Sequence, residues 1–252
     1  MCWSFGASTV FAIIGILAAI YLIYKKESKL LWIPILYFAA MEVLQALTYL
    51  TINQCNLPMN QLLTYISYLH SVFQPFFMNA FFLYFIPKEV RNKISGWVFA
   101  ICFIASILLL IQVYPFSWAG TCSPSNNFLD LDRAWCGTNI CSMSGSWHLI
   151  WNIPLNEMTW LGILGYLFPI FILPLIYGSW KVLLYQTILG PALTLLIIAN
   201  PAEFPAVWCF LSVAIIILAI FTPLKNLAWV KRWYFWKYPI KIQKEQKGLK
   251  IK

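Results

Sequence analysis

Seven apolar runs, each close to the thickness of a bilayer, constrain this chain more than any other feature. They cover residues 8–24, 29–52, 60–86, 94–114, 157–177, 182–199 and 204–222. An α-helix rises about 1.5 Å per residue, so ~20 residues cross a hydrocarbon core of about 30 Å. Inside lipid a backbone must satisfy its own polar groups, which makes such runs helices. The expected fold class is therefore all-α integral membrane, a bundle of seven transmembrane helices.

The basic residues give the bundle a direction. If the N-terminus lies outside, residues 25–29, 88–93, 178–181 and everything after 225 lie inside. Those segments hold sixteen of the seventeen Lys and Arg residues. Cytoplasmic loops concentrate Lys and Arg, so the expected orientation is N-out and C-in. Arg133 is the one exception, and Asp130 and Asp132 flank it. The first run has no positive residues before it, and Lys25, Lys26 and Lys29 follow it. It reads as a first span rather than a cleaved leader.

Only 10% of the 252 residues are charged, against about 25% in an ordinary soluble domain. Residues 1–224 thus read as one membrane domain, with an outer loop at 115–156. Residues 225–252 read as a cytoplasmic tail with nine basic residues and one acid. Trp229, Trp233, Tyr234, Phe235 and Trp236 interleave with its first lysines. Directly after a span, this pattern fits a surface of anionic lipid, not nucleic acid.

Several function classes are excluded by what the chain lacks. An opsin-like protein needs a lysine in its last span, and 204–222 has none. A zinc hydrolase of the ceramidase kind needs several histidines, and this chain has His70 and His148 alone. It has no Gly-x-Ser-x-Gly, P-loop, His-Glu-x-x-His or Cys-x-x-Cys.

The candidate site lies in the second and third runs. Glu42, Gln45 and Tyr49 share one helix face at i, i+3 and i+7, and Ser67, His70 and Gln74 share another. Counted from the inner ends, Glu42 falls level with Gln74, and Gln45 with His70. An ionisable group at mid-bilayer is costly and marks a functional site by default. The expected function is binding or passage of a small polar or cationic solute, with Glu42 and His70 as a proton relay. The alternatives are a receptor or scaffold with a structural polar clasp, and an intramembrane enzyme using Glu42 and His70 as acid and base.

The outer loop carries the remaining signals. Residues 146–152 are too apolar for a solvated loop and read as an interfacial or re-entrant helix, with Trp147, His148 and Trp151 as a lid over the bundle. Cys2, Cys55, Cys122, Cys136 and Cys141 fall outside, and Cys209 lies near the outer end of the last run. In an oxidising compartment these are disulfide candidates. Cys136 with Cys141 comes first because the two are close in one loop. Cys55 and Cys122 come next, and Cys2 with Cys209 last. No cofactor is expected. Met1, Cys2, Met59, Met143 and His148 leave outer copper(I) binding as a minor alternative, since soft donors suit that ion.

The strings Met1-Cys2-Trp3-Ser4, Tyr37-Phe38-Ala39-Ala40-Met41-Glu42, 69–77 (Leu-His-Ser-Val-Phe-Gln-Pro-Phe-Phe) and Trp147-His148 resemble an uncharacterised family of small bacterial-type polytopic membrane proteins. The resemblance runs to about Thr222. It implies a multi-pass protein of a cell membrane, in bacteria the inner one. It groups Glu42, His70, Gln74 and His148, and it supplies no chemistry.

Overall fold

A computed structural model describes residues 5–128 and 130–236. Met1, Cys2 and the tail beyond Trp236 lie outside the described residues, and so does any Cys2–Cys209 pairing. The long helices are α1 (Phe5–Tyr24), α2 (Lys29–Tyr49), α3 (Pro58–Tyr84), α4 (Lys88–Val113), α5 (Trp160–Tyr177), α6 (Trp180–Ile197) and α7 (Phe204–Phe221). A short α8 (Leu224–Ala228) follows. Six of these helices are long and apolar enough to cross a membrane; α3 is not among the six. Their outward faces carry exposed Ile13, Leu17, Phe103, Ile104, Leu184 and Leu196. Apolar surface on that scale suits lipid, not water.

The 27 residues of α3 are long enough but more polar, and their polar side chains turn inward. Asn60, Thr64, Ser67, Ser71, Gln74 and Asn79 are all buried. Asn79 shows how such residues bind the helices together. Its Nδ2 donates to the Pro75 and Pro169 carbonyls at 2.9 Å each, and its Oδ1 accepts from the Tyr177 hydroxyl at 2.9 Å. Two proline-interrupted helices are thereby joined at the level where proline has removed a backbone donor.

Helix ends fall into two sets. At one end lie the basic turns, and the chain after α8 folds back onto them. Val230 N–H donates to the Phe85 carbonyl at 2.9 Å, and the Trp233 and Trp236 indoles donate to Ile176 and Tyr177 carbonyls at 3.2 Å each. Lys225 meets Glu27 at 3.3 Å. Part of the aromatic stretch expected at lipid therefore covers protein. Tyr234 and Phe235 remain 91% and 66% exposed.

The opposite end is capped by residues 115–156, and here the all-α expectation needs correction. Strands β1 (Cys141–Ser144) and β2 (Leu149–Asn152) form an antiparallel hairpin with Cys141 opposite Asn152. The apolar stretch 146–152 is thus the turn and second strand of a hairpin, not a helix. Its apolar side chains are buried against helix ends, with Leu149 and Trp151 packed beside Met41 and Ala206. Asn60 holds β1 through both its amide atoms: Nδ2 donates to the Ser142 carbonyl at 3.1 Å, and Oδ1 accepts from Ser142 N–H at 3.0 Å. Thr64 Oγ1 lies 2.6 Å from Ser142 Oγ.

The disulfides also differ from the first expectation. Cys141 pairs with Cys55, and Cys136 with Cys122; Cys102 and Cys209 are buried free thiols. Nearness in sequence misled because the chain turns between Cys136 and Cys141. Cys136 is left beside Leu155 and Cys122, while Cys141 enters β1 beside the α2–α3 loop. Non-reducing digestion and mass spectrometry are expected to recover 55–141 and 122–136 cross-linked peptides. A 136–141 peptide in their place would contradict this arrangement.

Candidate functional site

Two polar constellations and one cavity stand out among the described residues. The first moors the hairpin. Glu203 precedes α7 and is fully buried. Its carboxylate accepts N–H bonds from Ser146 (2.9 Å), Trp147 (2.7 Å) and His148 (2.8 Å), the turn between the strands. Gly145 allows this approach: a Cβ there would stand 2.5 Å from both Glu203 Cδ and the His148 carbonyl. Such charge-assisted bonds are about twice as strong as neutral ones.

The turn delivers His148 into the bundle. Its Nε2 lies 2.6 Å from Gln45 Oε1, and its Nδ1 lies 2.5 Å from the Tyr49 hydroxyl. Gln45 Oε1 can only accept, so Nε2 carries the proton and Nδ1 accepts from Tyr49. Gln45 Nε2 continues to the Ala206 carbonyl at 3.4 Å. Burial pushes the His148 imidazolium down to about 3. An unfolded histidine titrates near 6.5. The folded value lies below it, so His148 contributes stability in full above pH 6.5. That contribution falls away as the pH drops toward 3, by roughly a kcal/mol per unit. Melting measured between pH 7 and pH 4 is expected to show this loss, and His148→Gln is expected to flatten it. An identical slope in both proteins would count against the assignment.

The second constellation surrounds Glu42, which is fully buried on α2. Neither carboxyl oxygen has a hydrogen-bond partner among the described residues. Ser8 of α1 is also buried with its hydroxyl unpaired among the described residues. Gln74 donates to Cys209 Sγ at 3.7 Å and accepts from the Tyr166 hydroxyl. Glu42 and Gln74, expected at one level, are thus not hydrogen-bonded to each other. Ser67 is buried, with its hydroxyl unpaired among the described residues.

His70 stands apart. Its Nε2 lies 2.8 Å from the Tyr37 carbonyl, and its ring stacks on Tyr37 at 3.7 Å. The Tyr37 hydroxyl bonds back to the His70 carbonyl. Gln45 and His70, expected at one level, thus have different partners: Gln45 meets His148, and His70 meets Tyr37.

The third feature is a partly open cavity of about 430 Å³ lined by α3, α4, α5, α6, α7 and the loop residues Asp132, Trp135 and Leu155. Volumes of 300–1,000 Å³ are typical of small-molecule sites. Its wall is largely apolar, with Val72, Leu109, Leu155, Leu167 and Phe171 among its residues. Trp135 lines it from the loop and stacks on Trp151 at 4.7 Å. Of the three expected lid residues, Trp151 therefore acts behind Trp135, His148 is locked to Gln45, and Trp147 sits at the Glu203-bound turn. Three buried polar atoms of residues on this wall have no partner among the described residues: Ser71 Oγ, Gln112 Nε2 and Trp208 Nε1. Tyr166 belongs to the same wall, and its hydroxyl is bonded to Gln74.

Metal donors do not converge: among the described residues there is no group of three or more His, Cys, Asp or Glu that could hold an ion. Of the copper donors considered, both His148 nitrogens are engaged.

Glu203, Gly145, Gln112 and Trp208 carry no signal in the sequence that marks them as a group. Their partners are brought together by the fold from distant segments. A glutamate between Pro201 and Pro205 at the rim of an apolar run was the one available hint.

The fold and site define a mostly helical protein with six helices fit to cross a membrane, a disulfide-braced hairpin at one end and a cavity among five helices. Residues 6–228 match the model of a family of unknown function, DUF5765, and the chain belongs to that family. The matched region includes the hairpin, the Glu42 cluster and the whole cavity wall. No curated protein and no solved structure matches the chain.

Proposed function

We propose that this chain is a seven-span protein of the cell membrane, hairpin end outside and basic tail inside, that binds a small molecule in the cavity beneath its hairpin. Counting α3 as a span is supported by its 27 residues and by its polar face, which turns toward protein. The basic turns at 25–29 and 88–93, Lys181 and the tail support the orientation. Tyr234, Phe235 and the following lysines fit contact with anionic lipid. The geometry favours binding over acid–base chemistry, because Glu42 and His70 engage separate neighbours.

The observation that carries the binding function is the cavity itself: about 430 Å³ with a largely apolar wall drawn from five helices, a volume in the range of small-molecule sites. Native mass spectrometry of protein extracted in mild detergent is expected to show a bound small molecule. Val72→Phe, which puts a larger side chain on the wall, is expected to remove it. Equal bound mass in both proteins would place the ligand elsewhere.

A second reading is passage of a small polar or cationic solute coupled to protons at Glu42. The buried carboxyl group without a hydrogen-bond partner supports it.

A further inference from the structure

The side chains that a molecule in the cavity can meet narrow its chemistry, given the cavity reading above. Most polar groups of the wall are engaged or sealed. The Tyr68 hydroxyl donates to the Leu109 carbonyl at 2.8 Å, the Thr187 hydroxyl to the Leu183 carbonyl at 2.9 Å, and the Tyr166 hydroxyl to Gln74. Ser71 Oγ, Gln112 Nε2 and Trp208 Nε1 are shut away inside the protein. Asp132 differs. It is half-buried, and its carboxylate makes no hydrogen bond or ion pair among the described residues. Arg133, next in the chain, ion-pairs with Glu157 and donates to the Ser123 carbonyl at 3.3 Å. Among the described residues the wall holds no Lys or Arg, and Asp132 is its one charge.

This charge stands at one end of the cavity. Asp132 belongs to a 3₁₀ turn (Leu131–Arg133) that packs against residues 201–203, just before α7. From there the wall runs along α5 from Gly162 to Phe171 and along α6 from Leu195 back to Thr187, about two turns of each helix. Half-buried Trp135, Tyr166 and Phe171 make this length rich in rings. A carboxylate in a cleft with low-dielectric walls focuses its field along the cleft and draws positive charge. Aromatic rings attract the same sign of charge through their π faces. A carboxylate or phosphate on the ligand would meet repulsion from Asp132 and no counter-charge. A ligand without charge would gain nothing from Asp132.

We propose that the cavity takes a lipophilic organic cation, its apolar body along the aromatic wall and its positive charge beside Asp132. The test uses the full chain purified in a neutral detergent and two ions of matched shape and opposite charge, tetraphenylphosphonium and tetraphenylborate. Each is measured separately by equilibrium dialysis against detergent micelles alone. Saturable binding of tetraphenylphosphonium is expected, and none of tetraphenylborate. Asp132→Asn is expected to weaken tetraphenylphosphonium roughly fivefold, the scale of one partly exposed charge pair. Its melting temperature is expected to hold, because the carboxylate bonds to nothing in the fold. Asp132→Glu, which keeps the charge, is expected to keep most of the affinity, and Val72→Phe is expected to remove the site. Equal saturable binding of the two ions, or equal affinity in Asp132→Asn and wild type, would overturn the cation and leave the cavity reading standing. Tetraphenylphosphonium binding unchanged in Val72→Phe would overturn the proposal by placing the cation elsewhere. If neither ion binds while a molecule still accompanies the extracted protein, the cation proposal fails and the cavity reading stands. With no such molecule, both fail.

Discussion

Replacing Glu203 with Ala is expected to release the hairpin from the bundle. The change leaves the N–H groups of Ser146, Trp147 and His148 without their acceptor, that of His148 in a buried position. A buried donor left unsatisfied costs about 1–3 kcal/mol. The loss spreads, because the same turn holds His148 against Gln45 and Tyr49. A lower melting temperature is expected, together with faster hydrogen exchange across 141–152. Glu203→Gln keeps one accepting oxygen and is expected to fall between wild type and Ala. The Cys55–Cys141 bridge still tethers β1 in both variants, so the strand stays near while the turn lifts. Hairpin exchange indistinguishable from wild type in Glu203→Ala would contradict the mooring role.

Glu42→Gln is expected to act in the opposite way on stability and function. The carboxyl oxygens make no hydrogen bond among the described residues, so the fold loses little when one becomes an amide. Removing an unpaired ionisable group from a low-dielectric interior stabilises or is neutral. Melting is therefore expected at or above the wild-type temperature. Proton coupling, in contrast, is expected to vanish. Proteoliposomes loaded with a pH-sensitive dye and given an inward tetramethylammonium gradient separate the cases: under the coupled-passage reading, wild type moves protons and Glu42→Gln does not. Equal signals in the two would end that reading and leave the cavity as the functional site. His70→Gln is a useful companion, since His70 contacts Tyr37 instead of the Glu42 cluster.

How far the sequence reached follows from the range of the forces involved. The long helices were legible because hydrophobic length is a local property. The run at 157–177 became Trp160–Tyr177, and that at 182–199 became Trp180–Ile197. The burial of Glu42 and Gln74 inside the bundle is seen in the structure. Their bonding was not legible in the sequence. Rise along a helix follows from counting, whereas rotation about its axis is set by packing against neighbours far away in the chain. Gln45 shows this: it was matched to His70 by depth, but its amide reaches His148, 103 residues on. The hairpin was hidden for a related reason. Its strands are four residues each, and they are held mostly by Asn60, Cys55 and Glu203, which lie on other elements. Apolar content at 146–152 signalled burial correctly, but the same content suits a short helix or a strand. The cavity depends on five helices at once, and no periodicity within one of them announces it.

The Cys55–Cys141 bridge has a consequence for the order in which the protein is made. Its two sulfurs are 86 residues apart, and the ring they close contains the whole of α3 and α4. Under the seven-span arrangement proposed above, neither thiol can meet the other during synthesis until both helices have been threaded and the chain has returned to the same side. Cys122 and Cys136, 14 residues apart, face no such wait. On that arrangement the local bridge can form as soon as its loop emerges, whereas the distant one forms only after two helices are inserted. Thiols oxidise in one compartment and stay reduced in the other, so a chain that failed to insert α3 or α4 would leave Cys55 and Cys141 on opposite sides. The bridge would then be a covalent receipt for threading, written only on molecules whose central helices are in place.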